Sequence, residues 1–152
     1  MTAPCYSTLS RQVDALFAEE DNLIAALANF SALLNEHLED INWVGFYLLQ
    51  GEQLILGPFQ GKVACTRIPM GKGVCGTAAQ TDSTQRVADV HRFEGHIACD
   101  SASNSEIVIP LRRNSQVIGV LDIDSPSFSR FDEKDQLGLE SCVKSLEMAL
   151  FA

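Results

Sequence analysis

Apolar residues follow a helical period at both ends of the chain and a strand period between them. Over residues 10–38 they recur at steps of three and four, which predicts two amphipathic helices broken near Glu20 and Asp21. Asp132 is placed to cap a last helix, and the apolar stripe of that helix comprises Leu139, Cys142, Val143, Leu146 and Leu150. We expect the terminal helices to pack on one face of a sheet.

Two hairpins are predicted between these helices. The first joins INWVGFYLLQ to QLILGPF through a turn at Gly51, and alternation places Trp43, Gly45 and Tyr47 on one side of the strand. The second joins EIVIPLRR to QVIGVLDID, with residues 113–115 as its turn. The fold class is therefore α+β, with a central antiparallel sheet of about six strands.

Size and charge limit the functions that this chain can have. The 152 residues, 46% of them hydrophobic, fit one domain with a single core over residues 1–152. The net charge of −9, with scattered basic residues, disfavours nucleic acid and anionic membranes as partners. The first residues do not resemble a signal peptide, and no apolar run approaches the roughly 18 residues of a membrane span. We expect a cytoplasmic protein without a membrane partner.

Five cysteines, an odd number without an export signal, favour reduced thiols over permanent cross-links. We interpret Cys5 and Cys142 as incidental. Any one of the others, taken alone, would be expected to be a small buried apolar residue. Cys65, Cys75 and Cys99, however, lie together in the middle of the sequence, in polar or glycine-rich segments, and the segment CDSASNSE around Cys99 is too polar for a core. These three thiols predict redox chemistry.

Three carboxyl groups are expected to lie near each other on the second hairpin. Alternation places Asp122 and Asp124 on one strand face, about 7 Å apart. A three-residue turn would set Glu106 directly opposite Asp122. Like charges opposed in a sheet are destabilising, so the cluster must be solvated, share a proton or hold a cation. A ligand ammonium is the favoured cation, with Trp43 or Tyr47 to cover an apolar or cationic part of the ligand.

Metal and phosphate sites find less support in the sequence. No EF-hand loop and no CxxC pair is present, although three cysteines completed by His91 or His96 would form an alternative zinc site. Residues 71–81 predict a glycine-rich loop leading into a short helix, but they do not match a phosphate-binding loop. Residues 82–105 predict a long functional loop in which both histidines are solvated. We expect no metal and no cofactor.

Four sequence stretches carry a resemblance to a known family. They are NWVGFYL, LGPFQGKVACTRIPMGKGVCG, FEGHIACDSASNSEIVIPL and VIGVLDIDSP, and the resemblance as a whole runs from Trp43 to Phe131. They closely resemble the free methionine-(R)-sulfoxide reductases, which are small single-domain proteins with the GAF fold. The pattern of three cysteines is specific to that family, whereas VLDIDSP alone would indicate only a GAF-like domain.

The resemblance implies a role for each of the three cysteines. Cys99 would be the nucleophile that attacks the sulfoxide sulfur of free L-methionine-(R)-sulfoxide, leaving methionine and a sulfenic acid on Cys99. Cys65 would resolve this sulfenic acid, and thioredoxin would reduce the resulting Cys65–Cys99 disulfide. Cys75 would serve as a secondary or alternative partner.

The same resemblance implies the residues that bind the substrate. Its family has binding carboxylates that correspond to Glu106, Asp122 and Asp124. Trp43 and Tyr47 correspond to aromatic residues that line the pocket. One carboxyl of such a cluster can hold a proton near neutral pH and donate it to the sulfoxide oxygen, which makes Glu106 a candidate acid.

Two other classes of function remain as alternatives. A GAF-type sensor module that binds a small ligand without catalysis is the first, because one fold hosts many functions. An acidic pocket is a poor host for a phosphate, which disfavours a cyclic-nucleotide sensor. A zinc-binding or redox-sensing cysteine module is the second. Terminal helices with spare apolar surface would also suit a homodimer.

Overall fold

The computed structural model describes residues 4–97 and 102–151. Within these ranges the helices are α1 (Tyr6–Leu16), α2 (Leu23–His37), α3 (Gly73–Thr81) and α4 (Glu133–Phe151), and a single 3-10 turn covers Val90–Arg92. The strands are β1 (Trp43–Gln50), β2 (Gln53–Gly61), β3 (Arg67–Pro69), β4 (Gln85–Val87), β5 (Ser105–Arg113) and β6 (Gln116–Ser125).

The six strands form one sheet in the order β3-β2-β1-β6-β5-β4, and every neighbouring pair is antiparallel. The two predicted hairpins, β1–β2 and β5–β6, therefore form, and β1 pairs with β6 to join them at the centre of the sheet. The predicted α+β class and six-stranded antiparallel sheet are confirmed.

Different elements pack on the two faces of the sheet. On one face α1, α2 and α4 pack against strand residues such as Val44 and Phe46 in the larger core. On the other face Trp43 and Tyr47 pack with α3 and β3 in a second cluster. Successive side chains of a strand point to opposite faces, so the alternation along β1 supplies both layers. The predicted packing of the terminal helices on one face is confirmed.

Side-chain caps fix where two of the helices begin. Asn22 Oδ1 accepts a hydrogen bond from the Ala25 N–H at 2.9 Å, which starts α2 just after the predicted break. Asp132 Oδ1 accepts from the Asp135 N–H, and Asp135 Oδ2 accepts from the Asp132 N–H, both at 2.9 Å. This reciprocal pair is a capping box, which satisfies two backbone donors that no helical carbonyl reaches. The predicted cap at Asp132 is confirmed.

The turn between β5 and β6 is shorter than expected. It comprises two residues, Asn114 and Ser115, at φ of 52° and 65°. A type I′ turn requires this left-handed geometry at both positions, and Asn adopts it more readily than most residues. A bulge beside Leu111 then shifts the strand pairing further. The predicted three-residue turn was therefore wrong.

The changed register moves the partners of the acidic residues. Glu106 pairs with Asp124, and Val108 pairs with Asp122, so the predicted opposition of Glu106 and Asp122 was wrong. The shift amounts to two residues, and a two-residue shift leaves every side chain on its original face. Glu106, Asp122 and Asp124 consequently still share one face of the sheet.

Residues 82–105 contain more regular structure than the predicted long loop. β4 pairs with β5 over three residue pairs, and the 3-10 turn at Val90–Arg92 follows. Both elements are short, so the polar composition masked them. None of the helices in the described ranges has the length and apolar character that a membrane crossing requires.

We predict that Gly138 is required by the packing of α1 on α4. A Cβ at position 138 would lie 2.1 Å from Tyr6 Cγ, and Tyr6 is anchored by its hydroxyl, which donates to Asp135 Oδ1 at 2.7 Å. Gly138→Ala should therefore lower the free energy of unfolding by about 1–3 kcal/mol, although alanine favours a helix. Urea denaturation measures the change.

The control is the same substitution in a Tyr6→Ala background. Without the ring, Gly138→Ala should stabilise the protein by up to about 1 kcal/mol, because only helix propensity remains. Equal effects of Gly138→Ala in the two backgrounds would contradict this account of the packing.

Candidate active site

A pocket opens on the sheet face opposite to the terminal helices. It has a volume of about 520 Å³, including the open space at its mouth. Strands β1, β5 and β6, the start of α3 and the segments before β3 and after the 3-10 turn contribute its lining. All of the predicted substrate-binding residues line it, namely Trp43, Tyr47, Glu106, Asp122 and Asp124. The structure thus brings these five residues together in one pocket, and their role in binding stays a prediction.

Stacked aromatic rings form one side of this pocket. Trp43 and Tyr47 stand four positions apart on the same face of β1, with their ring centroids 5.9 Å apart and their planes at 23°. Phe59 from β2 stacks on Trp43 with a centroid separation of 5.1 Å. The rings are buried against the second core cluster, so they form a rigid apolar surface.

The polar atoms of the same rings hold the segment that carries Cys65. Trp43 Nε1 donates to the Lys62 carbonyl at 3.1 Å, and the Tyr47 hydroxyl donates to the Cys65 carbonyl at 2.8 Å. Buried indole and phenol groups need such partners, because leaving them unpaired costs free energy. The segment between β2 and β3 is therefore fixed relative to the pocket.

The carboxyl groups form the second side of the pocket and are buried in it. Glu106 is 7% exposed and Asp122 is 5% exposed. Asp122 Oδ1 has no hydrogen-bond partner among the described residues. An unpartnered buried carboxylate oxygen is costly, so the site is built to receive a donor or a positive charge.

Burial raises the pKa of both Glu106 and Asp122. For Glu106 the pKa lies well above its usual range, because burial disfavours the charged form and the charges of Asp122 and Asp124 act in the same direction. Burial also raises the pKa of Asp122, although hydrogen bonds to Glu106, Asp124 and Cys75 oppose the shift. The cluster therefore retains a proton that solvated carboxylates would have lost.

Cys75 lies in the same cluster, on the first turn of α3. Its Sγ is 3.9 Å from Glu106 Oε2, and its side chain is buried. Burial, followed by the charges of Asp122 and Glu106, raises the pKa of the thiol well above its ordinary value. One ligand atom from each of Cys75, Glu106 and Asp122 lies within 4.8 Å of the others, so these groups can surround a cation. Cys75 is accordingly a protonated thiol beside the carboxyls.

The other cysteines occupy different surroundings. Cys65 is partly exposed between β2 and β3, and its sulfur is in a disulfide bond. Cys99 lies outside the described residues, so its predicted position in the site is not tested. Cys5 precedes α1 and is exposed, whereas Cys142 is buried in the core beneath the terminal helices, and both are free thiols. Neither of these two lines the pocket, which fits their interpretation as incidental.

One histidine joins the pocket against expectation. His96, predicted to be solvated, is partly buried and lines the pocket. Burial lowers the pKa of its imidazole, which favours the neutral ring. Only its place three residues before Cys99 could have indicated this role. His91 is exposed, as predicted, and its Nε2 lies 3.0 Å from Asn104 Oδ1.

Comparison with known proteins assigns this architecture. The sequence model of the GAF domain family matches residues 22–150. The free methionine-R-sulfoxide reductase of Escherichia coli (strain K12) is 59% identical over 145 residues, which are 95% of this chain and 88% of that protein.

Two solved structures share the fold and much of the sequence. The fRMsr of Staphylococcus aureus in complex with substrate has 54% identity and a TM-score of 0.94, covering 99% of this chain and 98% of that chain. The free methionine-R-sulfoxide reductase of Neisseria meningitidis in complex with its substrate has 44% identity and a TM-score of 0.91, covering 98% and 92%. Because these similarities extend over nearly the whole chain, the protein belongs to the GAF-domain family of free methionine-R-sulfoxide reductases.

Proposed function

We propose that this protein reduces free L-methionine-(R)-sulfoxide to L-methionine, with thioredoxin as the source of electrons. The observation that carries the proposal is a single pocket in which a buried, proton-retaining carboxyl cluster adjoins a stacked aromatic surface. The relatives named above, two of them solved with substrate, supply the substrate class.

The two sides of the pocket match the two ends of the substrate. A free amino acid carries an ammonium group, whose N–H donors and charge suit the buried oxygens of Asp122 and Asp124. The methyl group and the side chain around the sulfur are apolar and suit the rings of Trp43 and Tyr47. Methionine sulfoxide within a peptide lacks the ammonium, so the cluster selects for the free amino acid.

The raised pKa of Glu106 supplies the acid that the reaction needs. A sulfoxide oxygen leaves poorly unless it is protonated, and a carboxyl that holds its proton near neutral pH can donate it. Cys99 attacks the sulfoxide sulfur, which is reduced by two electrons. Cys99 is oxidised to a sulfenic acid, so the oxygen ends on its sulfur and methionine is released.

Cys65 is the residue that we propose resolves the sulfenic acid. Its thiolate attacks the Cys99 sulfur, water leaves, and the Cys65–Cys99 disulfide forms. The disulfide at Cys65 and its partly exposed position support this assignment. Cys75 is disfavoured as the main resolver, because burial beside carboxyls keeps it in the unreactive thiol form. Cys75 remains the alternative partner.

We further infer a cytoplasmic enzyme that forms a homodimer. The reducing conditions of the cytoplasm suit free thiols at Cys5, Cys75 and Cys142 and a reaction that depends on thioredoxin. Half or more of the side chain is exposed at Leu16 on α1 and at Leu137 on α4. Apolar surface of this kind on the terminal helices suits self-association.

The proposed function is tested by thioredoxin-coupled turnover of three compounds. They are free L-methionine-(R)-sulfoxide, its (S) epimer and the N-acetylated (R) compound, which lacks the ammonium. We expect turnover of the free (R) compound only, with kcat/KM for the acetylated compound reduced by at least about 10²-fold because a buried charge loses its partner.

The matched control uses the same assay with Cys99→Ser and Cys5→Ser. Cys99→Ser should abolish turnover, and Cys5→Ser, which replaces an exposed thiol ahead of α1, should leave it unchanged. If wild-type protein turned over none of the compounds, a ligand-binding GAF module without catalysis would become the better interpretation.

Replacing Cys65 should separate the two halves of the cycle. Cys65→Ser is expected to release one equivalent of methionine per protein and then stop, because the Cys99 sulfenic acid lacks its resolving thiol. Single-turnover analysis with mass spectrometry measures both the methionine and the oxidised cysteine. Cys75→Ser should continue to cycle. Normal cycling of Cys65→Ser would instead assign the resolving role to Cys75.

Glu106→Gln should change both the activity and its dependence on pH. Activity that needs a protonated carboxyl falls as pH rises through the raised pKa, so the wild type should lose activity on the alkaline side. The variant should have a kcat about 10²-fold lower, and its activity should no longer fall on the alkaline side of the pH profile. Glu52→Gln, at an exposed turn, is the control.

Stability measurements test whether the loss of activity in Glu106→Gln reflects unfolding. Folding raises the pKa of the Glu106 carboxyl above the value of about 4.3 that glutamate has in an unfolded chain. Between these two pKa values the folded protein keeps a proton that the unfolded chain loses, so the free energy of unfolding falls as pH rises through this range. Glu106→Gln should therefore be more stable than wild type at about pH 8, with the difference shrinking towards about pH 4. An unchanged activity profile would count against Glu106 as the acid.

A further inference from the structure

The sequence segment that contains Cys65 has a charge opposite to that of the chain. The protein carries a net charge of −9, yet residues 53–81 contain no Asp or Glu and three basic residues, Lys62, Arg67 and Lys72. All three are exposed. None of them forms an ion pair within the described part of the chain, where the ion pairs involve Arg92, Arg112 and Arg130. Their charges are therefore available to an incoming molecule.

An exposed aliphatic residue follows Lys62 in this segment. Val63 is 90% exposed, between Lys62 and the disulfide-bonded Cys65. We call residues 61–67 together with Lys72 the Cys65 rim. A charged rim around an apolar centre is the composition of a surface that binds another protein.

The Cys65 rim is held in place rather than loose. Trp43 Nε1 and the Tyr47 hydroxyl anchor the carbonyls of Lys62 and Cys65, and the Leu56 N–H donates to the Thr66 carbonyl at 3.0 Å. Arg67 begins β3 and pairs with Ile55 on β2. A surface that is already ordered loses little entropy when a partner binds.

We propose that the Cys65 rim is the docking surface for the dithiol reductant, a thioredoxin-type protein whose contact face carries acidic groups. The proposal rests on the function proposed above. Val63 is covered by the partner, while Lys62, Arg67 and Lys72 meet its acidic groups. The disulfide sulfur of Cys65 then lies at the centre of the contact, where the partner's thiolate can approach it.

The rim also fixes which sulfur is attacked. The thiolate of the partner bonds to the Cys65 sulfur, the Cys65–Cys99 bond breaks, and the electron pair leaves on Cys99, which takes up a proton. The second thiol of the partner attacks the partner's own sulfur in the mixed disulfide. Cys65 is released as a thiol and the partner leaves as a disulfide, so two electrons have passed to this protein.

Charge reversal on the rim tests the proposal by steady-state kinetics with thioredoxin, its reductase and NADPH. Lys62→Glu and Arg67→Glu should each raise the KM for thioredoxin about five-fold, because complementary rim charges speed encounter. Added salt should raise the wild-type KM and have less effect on the variants. Arg11→Glu, which makes the same charge change on α1, should leave the KM for thioredoxin unchanged.

Dithiothreitol, a small dithiol that needs no docking surface, separates the two proposals. Wild type and both rim variants should turn over alike with it. No turnover of wild type with either reductant would refute the proposed function. If wild type turns over with both reductants but the rim variants keep the wild-type KM for thioredoxin, the docking proposal is refuted and the proposed function stands. A raised KM for methionine sulfoxide instead would assign the rim charges to the substrate and overturn the proposal.

A trapping experiment tests the attacked sulfur. Thioredoxin with its second active-site cysteine replaced by serine should remain linked to the oxidised protein as a mixed disulfide. Peptide mapping by mass spectrometry should find this link at Cys65. A link at Cys99 would overturn the assigned point of attack.

Discussion

The pairing of β5 with β6 is the constraint on which the site depends. It sets Glu106 against Asp124 and places Asp122 on the same face, where burial raises the pKa of Glu106 and that of Asp122. The helices on the opposite face bury the other side of these strands and so keep the sheet in place. Proton retention by the cluster is thus a consequence of sheet geometry and burial, and the same residues in water would be ordinary carboxylates.

The aromatic residues of β1 connect this cluster to the segment that carries the disulfide-bonded Cys65. One face of Trp43 and Tyr47 supplies an apolar surface, while their N–H and O–H groups hold the carbonyls on either side of Val63. The substrate binding that we propose and the placement of Cys65 therefore use the same two rings. β1 lies at the centre of the sheet, where it pairs with β2 on one side and with β6 on the other.

Local patterns were enough to predict much of this arrangement. Alternation placed Trp43 and Tyr47 together because the period of a strand is fixed by its backbone, and the cap at Asp132 follows from the needs of a helix start. The register of β5 on β6 was missed because the turn has two residues instead of three and because the bulge beside Leu111 leaves no clear sequence signal. His96 was missed because its burial arises from parts of the chain that are distant in sequence.

The sequence by itself determined the terminal helices, the two hairpins, the faces of their strands and the family, because periodicity and motif spacing are properties of the chain. Tertiary structure decided which groups are chemically altered. The pKa of Cys75 and that of Glu106 depend on neighbours brought in by α3, β5 and β6, and on the exclusion of water between them. Electrostatic interactions act through space rather than along the chain, so only the folded protein specifies them.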